Sequence, residues 1–225
     1  MTALTTQLQA EMNVVRRNGE QLLVTLGIPL LLLGFFSVVD VLPTNEVDPV
    51  NFLVPGILAL AVMSTSMVSL GIATGFERNY LVLKRLAATP LGTTRLIAAK
   101  TLSIAAVEAV QMILLISLGF LLGWSPQQAN WLLALCAVVL GTFAFAGIGL
   151  FLAGNLRGEV NLAATHGLYL VLLLIGGIVF PLDKLPGALS AISRCLPTAA
   201  LSDVLRNSLM SAGEHTTSSW IVLLV

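Results

Sequence analysis

Charged residues are scarce in this sequence. They make up 10% of the 225 residues, against 57% hydrophobic residues, and the mean hydropathy is +0.96. Soluble globular domains typically carry about 25% charged residues, so this composition excludes a soluble globular domain. We therefore expect an all-α integral membrane protein that is surrounded by membrane lipid and has no nucleic-acid partner.

Cysteines and the usual catalytic motifs are also lacking. Cys136 and Cys195 are the two cysteines, and they fit neither a disulfide framework nor a metal site. The sequence contains no G-x-x-x-x-G-K-[ST] phosphate loop, no H-E-x-x-H metal helix and no G-x-S-x-G nucleophile turn. His166 and His215 have no Asp, Glu or Cys at ligand spacing. We therefore expect no catalytic, metal or cofactor site on this chain.

Long apolar runs dominate the chain instead. A run of about 18 residues or more is long enough to cross a bilayer as a helix. A sixth run begins at Trp220 and continues to Val225. The sequence therefore predicts a single domain, residues 1–225, that is a bundle of six transmembrane helices with the sixth only begun. The five complete runs are 22–39, 52–75, 101–123, 131–154 and 161–180.

Residues 1–20, before the first run, have an amphipathic pattern. Leu4, Leu8, Met12 and Val15 recur at helical spacing, with polar residues elsewhere. This pattern predicts an interfacial helix that lies along the membrane surface. The segment has no apolar core followed by a small-residue cleavage site, so we expect no cleavable signal peptide.

Basic residues concentrate in alternate connections between the runs. By the positive-inside rule, the side that carries most of them is the cytoplasm. We therefore expect a multi-pass protein of the plasma (inner) membrane with a cytoplasmic N-terminus, in which Lys100 snorkels to the surface. The basic residues on the predicted cytoplasmic side are Arg16, Arg17, Arg78, Lys84, Arg85, Arg95, Lys100 and Arg157.

The connection between the second and third runs, residues 76–95, is the most charged stretch, and we call it the elbow. Its apolar residues Tyr80, Leu83 and Leu86 recur at helical spacing, which is typical of a short interfacial helix. Such a helix can couple a soluble partner to the membrane, or it can be an ordinary positive-inside anchor. Both interpretations remain open. The candidate coupling residues are Glu77, Arg78, Tyr80, Leu83, Lys84, Arg85 and Pro90.

A second informative segment, residues 182–213, carries two apolar stripes of roughly ten residues that are split by Pro197. Neither stripe is long enough to cross a membrane. We predict a helical hairpin on the outer side, either re-entrant or interfacial; at membrane depth it must be buried in protein or line a cavity. Its candidate residues are Pro197, Asp203 and Arg206.

Glu108 lies inside the third run, roughly 10 Å deep at 1.5 Å per residue, and Gln111 shares its face. An ionisable group at that depth is costly and usually faces a partner, a cavity or a transport path. Two interpretations remain open. Glu108 either lines a translocation path or joins neighbouring helices by hydrogen bonds.

Several short motifs extend over nearly the whole chain and together resemble one family. They are Phe52-Leu-Val-Pro-Gly56, Phe76-Glu-Arg78, Leu86-Ala-Ala-Thr-Pro90-Leu91, Gly177-Ile-Val-Phe-Pro-Leu182, Leu196-Pro-Thr198 and Asp203-Val-Leu-Arg206. With the amphipathic N-terminal helix, they resemble the membrane subunit of type-2 ABC exporters, the family that includes daunorubicin-resistance permeases. One departure is Asn79-Tyr80, where the family often carries Glu-Lys or Glu-Arg followed by Gly-Thr.

The resemblance implies a transport subunit that is not itself an enzyme. Such a subunit pairs with a second identical or similar permease and binds separate ATP-binding-cassette ATPase subunits, which hold ATP and Mg²⁺. It exports a hydrophobic drug or lipid-like molecule. Two other classes remain: a membrane scaffold or channel subunit would have no ATPase partner, and a membrane-embedded enzyme would need a second acid or nucleophile beside Glu108.

Overall fold

A computed structural model describes residues 3–39, 49–89, 92–126, 129–178, 186–210 and 217–224. Within these ranges the regular structure is entirely helical. A π-helical segment, Ser64–Ser69, joins α3 to α4, so that Pro49–Asn79 is one helix of 31 residues. The helices are α1 (Ala3–Arg17), α2 (Gly19–Val38), α3 (Pro49–Met63), α4 (Leu70–Asn79), α5 (Val82–Ala87), α6 (Thr93–Leu121), α7 (Trp131–Asn155), α8 (Gly158–Ile175), α9 (Gly187–Ser193), α10 (Pro197–Met210) and α11 (Thr217–Leu224).

Four of the described helices are long and apolar enough to cross a membrane: Pro49–Asn79, Thr93–Leu121, Trp131–Asn155 and Gly158–Ile175. They coincide with four predicted runs and confirm an all-helical, multi-pass membrane protein. The remaining complete run lies in α2, which meets α1 at a bend of 65°, and the bent pair is a fifth candidate if it counts as one span. The predicted sixth helix corresponds to α11, whose 8 residues are too few to cross, so six spans stay a prediction.

The helix Pro49–Asn79 forms the centre of the bundle. Its most apolar window is 83% buried inside the protein, whereas the windows of the other three candidate spans are 22 to 33% buried. Residues 53–63 are buried without exception. The helix packs on α2, α6, α7, α8 and α10. Its apolar side chains therefore contact protein, while those of the surrounding helices largely face outward.

Glycines allow this central helix to approach its neighbours closely. A Cβ atom placed on Gly149 of α7 would lie 2.6 Å from the carbonyl oxygen of Met67, and one on Gly71 would lie 3.0 Å from Gly149 Cα. On the α8 side, Asn161 Nδ2 donates a hydrogen bond to Gly71 O at 2.9 Å. Small residues at helix crossings permit the backbone contact that stabilises membrane bundles.

One end of the bundle, which we call the elbow end, gathers four segments that are far apart in sequence. Lys100 near the start of α6 contacts Glu11 of α1 and Glu77 of α4. Arg78 Nη1 lies 3.2 Å from the carbonyl oxygen of Leu156 in the α7–α8 turn. The predicted cytoplasmic segments around these residues therefore lie at the same end of the molecule.

The opposite end, which we call the hairpin end, gathers the start of α3, the α6–α7 turn and the end of α10. The backbone N–H of Ser125 donates to Asn51 Oδ1 at 3.2 Å, and that of Asn130 donates to Ser208 O at 2.7 Å. Both contacts involve segments that the sequence predicts to lie outside the cell. Within the described residues, these contacts therefore gather predicted cytoplasmic segments at one end and predicted outer segments at the other.

Candidate functional site

The elbow is two helices joined by a sharp turn. Helix α4 ends at Asn79, Tyr80 N donates to Phe76 O at 2.8 Å, and Leu81 has φ 60° and ψ 18°. This left-handed conformation costs a non-glycine residue about 1–2 kcal/mol. The short helix predicted in the elbow is present as α5, but it begins at Val82, so the prediction was wrong to include Tyr80. Pro90 lies outside the described residues.

This break divides the apolar face that the sequence predicts for the elbow. Leu83 and Leu86 are half-buried against the protein, whereas Tyr80 is 67% exposed and Leu81 is 56% exposed. The reversal at Leu81 changes the helical register, so the residues before and after it do not share a face. We call the exposed set the elbow surface, which consists of Tyr80, Leu81, Val82, Lys84 and Arg85.

Glu77 and Arg78 both form contacts with other parts of the chain, although Arg78 is exposed to solvent. Lys100 Nζ lies 2.7 and 2.6 Å from the two carboxylate oxygens of Glu77. Arg78 Nη1 donates to the carbonyl oxygens of Ala153 and Leu156, each at 3.2 Å, which satisfies acceptors at the end of α7. The sequence predicts that both residues contact a partner protein, and that role stays a prediction. No sequence pattern indicates these contacts within the chain.

Lys100 is the residue whose surroundings differ most from expectation. The sequence predicts that it snorkels at the edge of a span beginning at residue 101, but α6 begins at Thr93 and Lys100 is only 4% exposed. Its ammonium group is paired with Glu77 and also lies 3.0 Å from Glu11 of the N-terminal helix. The ion pairs replace water around the charge, so the side chain does not need to reach the surface.

A cleft with a volume of about 680 Å³ lies beside the elbow, between α1, α2, α4 and α8. It extends from Tyr80 to Ser64, roughly 24 Å along the helix at 1.5 Å per residue. Its walls are mostly apolar with a few polar groups, a combination that suits small apolar or amphipathic ligands. The lining residues include Val14, Asn18, Thr25, Ile28, Ser64, Ser69, Phe76, Glu77, Tyr80, Val82, Leu162, His166 and Tyr169.

Glu108 and Gln111 do not line this cleft. Gln111 is 1% exposed, donates from Nε2 to Thr25 O at 2.8 Å and accepts from Thr65 Oγ1 at 2.8 Å. Glu108 Oε2 accepts a hydrogen bond from Thr142 Oγ1 of α7 at 2.7 Å. These contacts favour the interpretation in which both residues join neighbouring helices rather than line a translocation path.

The helix-joining interpretation predicts how Glu108 tolerates substitution. Glu108→Gln keeps an oxygen that accepts from Thr142, so the thermal unfolding temperature in detergent should stay unchanged. Glu108→Leu removes the acceptor and should lower the free energy of unfolding by about 0.6–1.7 kcal/mol, the average and the maximum found for interhelical hydrogen bonds in a membrane protein. Thr142→Val is the matched control and should cost a similar amount. A silent Glu108→Leu variant combined with altered export by Glu108→Gln would instead place the carboxylate in the translocation path.

At the hairpin end, Arg206 joins three segments. Its Nη2 donates to Gly177 O at 2.7 Å and to Ile178 O at 3.1 Å, and its guanidinium lies 3.9 Å from the ring centroid of Phe52. Asp203 is a weaker partner at 3.8 Å. The side chain therefore connects α10 to α3 and to the segment just after α8, where its guanidinium donates to carbonyl groups beyond the last turn of that helix.

The break predicted at Pro197 is present. Helix α9 ends at Ser193 and α10 begins at Pro197, a residue that favours the first turn of a helix. Nine residues of α10 are buried, and the helix packs on α3 and α7. Backbone at membrane depth that does not cross the membrane must be buried in protein or line a cavity, and the burial of α10 satisfies this condition. Re-entry into the membrane stays a prediction.

The described part of the chain brings together no group of three or more metal-ligating side chains. The described residues form a multi-pass helical membrane protein with a large cleft. The sequence profile described as "ABC-2 type transporter" matches residues 2–210. The chain therefore belongs to the ABC-2 type transporter membrane family, which confirms the resemblance seen in the short motifs.

A curated relative agrees with this family. The chain is 24% identical over 205 residues to YvfS of Bacillus subtilis (strain 168), which bears the name of a transport permease. The match covers 88% of this chain and 82% of the relative. We conclude that the protein is a transmembrane subunit of an ABC-2 type transporter.

Proposed function

We propose that this chain is the permease subunit of an ABC exporter that moves a hydrophobic drug or lipid-like molecule out of the cell. The observation that supports this most directly is the overlap of two surfaces. Tyr80 and Val82 belong to the exposed elbow surface, and both also line the cleft. A soluble partner that displaces the elbow would therefore displace a wall of the cleft.

Separate ATP-binding-cassette subunits are the partners that we propose for the elbow surface. Leu81 supports this proposal, because it is 56% exposed and is held in a left-handed conformation that leucine rarely adopts. Strained backbone of this kind clusters at active sites, ligand-binding sites and switch regions. Lys84 and Arg85 add positive charge beside the exposed apolar residues. ATP and Mg²⁺ would be bound by the partner.

A second identical or similar permease is the other partner that we propose. Val24 and Ile28 of α2 line the cleft and are 47% and 44% exposed. Leu162 of α8 lines the same cleft and is 37% exposed. A cleft bounded by such partly exposed apolar side chains would be closed by a neighbouring subunit. The elbow end would face the cytoplasm and the N-terminus would lie on that side of the inner membrane.

Purification from native membranes tests the proposal. We expect a protein with a G-x-x-x-x-G-K-[ST] motif to purify with this chain, and the complex to hydrolyse ATP in nanodiscs. A scaffold or channel subunit would purify without such a protein. A membrane-embedded enzyme would turn over its substrate in the absence of ATP, and either result would contradict the proposal.

The hairpin segment is proposed to act in substrate release. Pro197→Ala permits the chain to continue as a helix from α9 into α10, so export should fall several-fold while binding of the ATPase subunits persists. Pro186→Ala, just before α9, is the matched control because it leaves the break at Pro197 intact. Export measured in inverted vesicles is the test, and normal export by Pro197→Ala would exclude a role in release.

A further inference from the structure

Lys100 connects two segments that approach it from different directions. Its Nζ lies 2.6 and 2.7 Å from the carboxylate oxygens of Glu77 and 3.0 and 3.1 Å from those of Glu11. Glu77 belongs to α4, directly before the elbow surface, and Glu11 belongs to α1. Two carboxylates therefore share one ammonium group, and the cluster carries a net charge of −1.

The N-terminal helix is held to the bundle by a partly exposed face and by this cluster. None of its residues is fully buried. Leu4, Leu8, Met12 and Val15 form a half-buried stripe on a helix that packs on α6. Glu11 lies on the same side and contributes the charged contact. Apolar packing of this limited extent leaves the ion pair as an important determinant of whether α1 stays in place.

The position of α1 affects the cleft. Val14 and Asn18, at the end of α1 and directly after it, line the cleft together with Glu77 and Tyr80 of the elbow. The cluster thus connects a wall formed by the N-terminal segment to a wall formed by the elbow. Movement of either wall changes the shape of the same space.

We propose that Lys100 is a positioning residue that passes movement of the elbow to the N-terminal helix through competition between Glu77 and Glu11. Like charges on neighbouring carboxylates repel, and each weakens the hold of the other on the shared ammonium group. When the elbow withdraws Glu77, the full positive charge of Lys100 acts on Glu11 and α1 binds more tightly. The link to transport rests on the proposed function, but the competition itself does not.

If Glu77 and Glu11 compete for Lys100, substitutions of Lys100 and of Glu77 should change the detachment of α1 in opposite directions. Lys100→Met leaves two carboxylates without a cation, so α1 should detach more often. Glu77→Gln removes the competing charge, so α1 should detach less often. A cluster that acts only as structural support predicts the same sign for both variants, because each removes an ion pair.

Cysteine labelling in nanodiscs measures the detachment directly. The native cysteines are first replaced by serine, and Leu8→Cys places a thiol on the half-buried face of α1. We expect the rate of maleimide labelling to rise about tenfold with Lys100→Met, which corresponds to about 1.4 kcal/mol, and to fall several-fold with Glu77→Gln. Arg95→Met, an exposed position on the same helix, is the matched control and should leave the rate unchanged.

Faster or unchanged labelling with Glu77→Gln would overturn the competition, and so would an unchanged rate with Lys100→Met. If Lys100→Met does not fold, the sign of the Glu77→Gln effect decides alone. The experiment contains no ATPase subunit. Its failure would therefore leave the transporter proposal intact, and failure to purify an ATPase partner would leave this result unaffected.

Discussion

Gly149→Ala should lower the free energy of unfolding by about 1–3 kcal/mol, the usual cost of inserting a methyl group into a well-packed core. The added Cβ would lie 2.6 Å from the carbonyl oxygen of Met67, and backbone cannot rotate away as a flexible side chain can. Gly149→Val adds two further methyl groups at the same crossing. That variant should fail to accumulate as folded protein.

Gly147→Ala is the matched control because it lies on the same helix, α7, with no heavy atom within 4 Å of the added Cβ. Thermal unfolding in detergent, followed by size-exclusion chromatography, compares the two variants. We expect Gly147→Ala to unfold at the wild-type temperature and Gly149→Ala to unfold well below it. Equal unfolding temperatures would contradict the close crossing of the central helix, Pro49–Asn79, and α7.

The spanning helices of this protein could be predicted because each contains a predominantly apolar run of sufficient length. The helix Trp131–Asn155 coincides with the predicted run 131–154 almost residue for residue. The stripe that begins with Leu4 and Leu8 was predictable for a similar reason, since helical spacing in a mostly polar segment identifies the side that packs. The break at Pro197 follows from local backbone chemistry.

The central position of Pro49–Asn79 could not be predicted in the same way. Lipid tails are as apolar as leucine, so a helix surrounded by protein and a helix surrounded by lipid have similar compositions. The cluster at Lys100 was unpredictable for another reason. Glu11, Glu77 and Lys100 are separated by many residues, and only the packing of α1 and α4 on α6 brings them together.

Leu81 shows where periodicity fails within a single segment. Helical spacing across residues 80–87 indicates one helix, but the left-handed residue at position 81 interrupts it and turns Leu83 toward the protein. Leucine has no intrinsic preference for that conformation. No sequence pattern therefore indicates the turn.

Leu81→Asn should uncouple ATP hydrolysis from export while it preserves the fold. Asparagine adopts the left-handed conformation more readily than leucine, so the turn between α4 and α5 should persist. The substitution removes an exposed apolar side chain from the elbow surface, where Tyr80 and Val82 flank it. Loss of an apolar anchor at the centre of an interface costs about 2 kcal/mol or more, roughly thirtyfold in affinity.

The reason that one contact can matter so much is thermodynamic. A partner shifts a conformational equilibrium only through its unequal interaction with the two states. If the elbow surface is where the ATPase subunit makes that unequal contact, Tyr80→Ala should act in the same direction as Leu81→Asn. Arg157→Ala, an exposed position in the α7–α8 turn of the same end, should have little effect.

Substrate-stimulated ATPase activity of the complex in proteoliposomes, with export measured in parallel, tests the role of the elbow most directly. We predict that Leu81→Asn and Tyr80→Ala lose most of the stimulation and most of the export, whereas Arg157→Ala retains both. Wild-type assembly, stimulation and export in Leu81→Asn and Tyr80→Ala would contradict coupling through the elbow and would leave this segment as a positive-inside anchor.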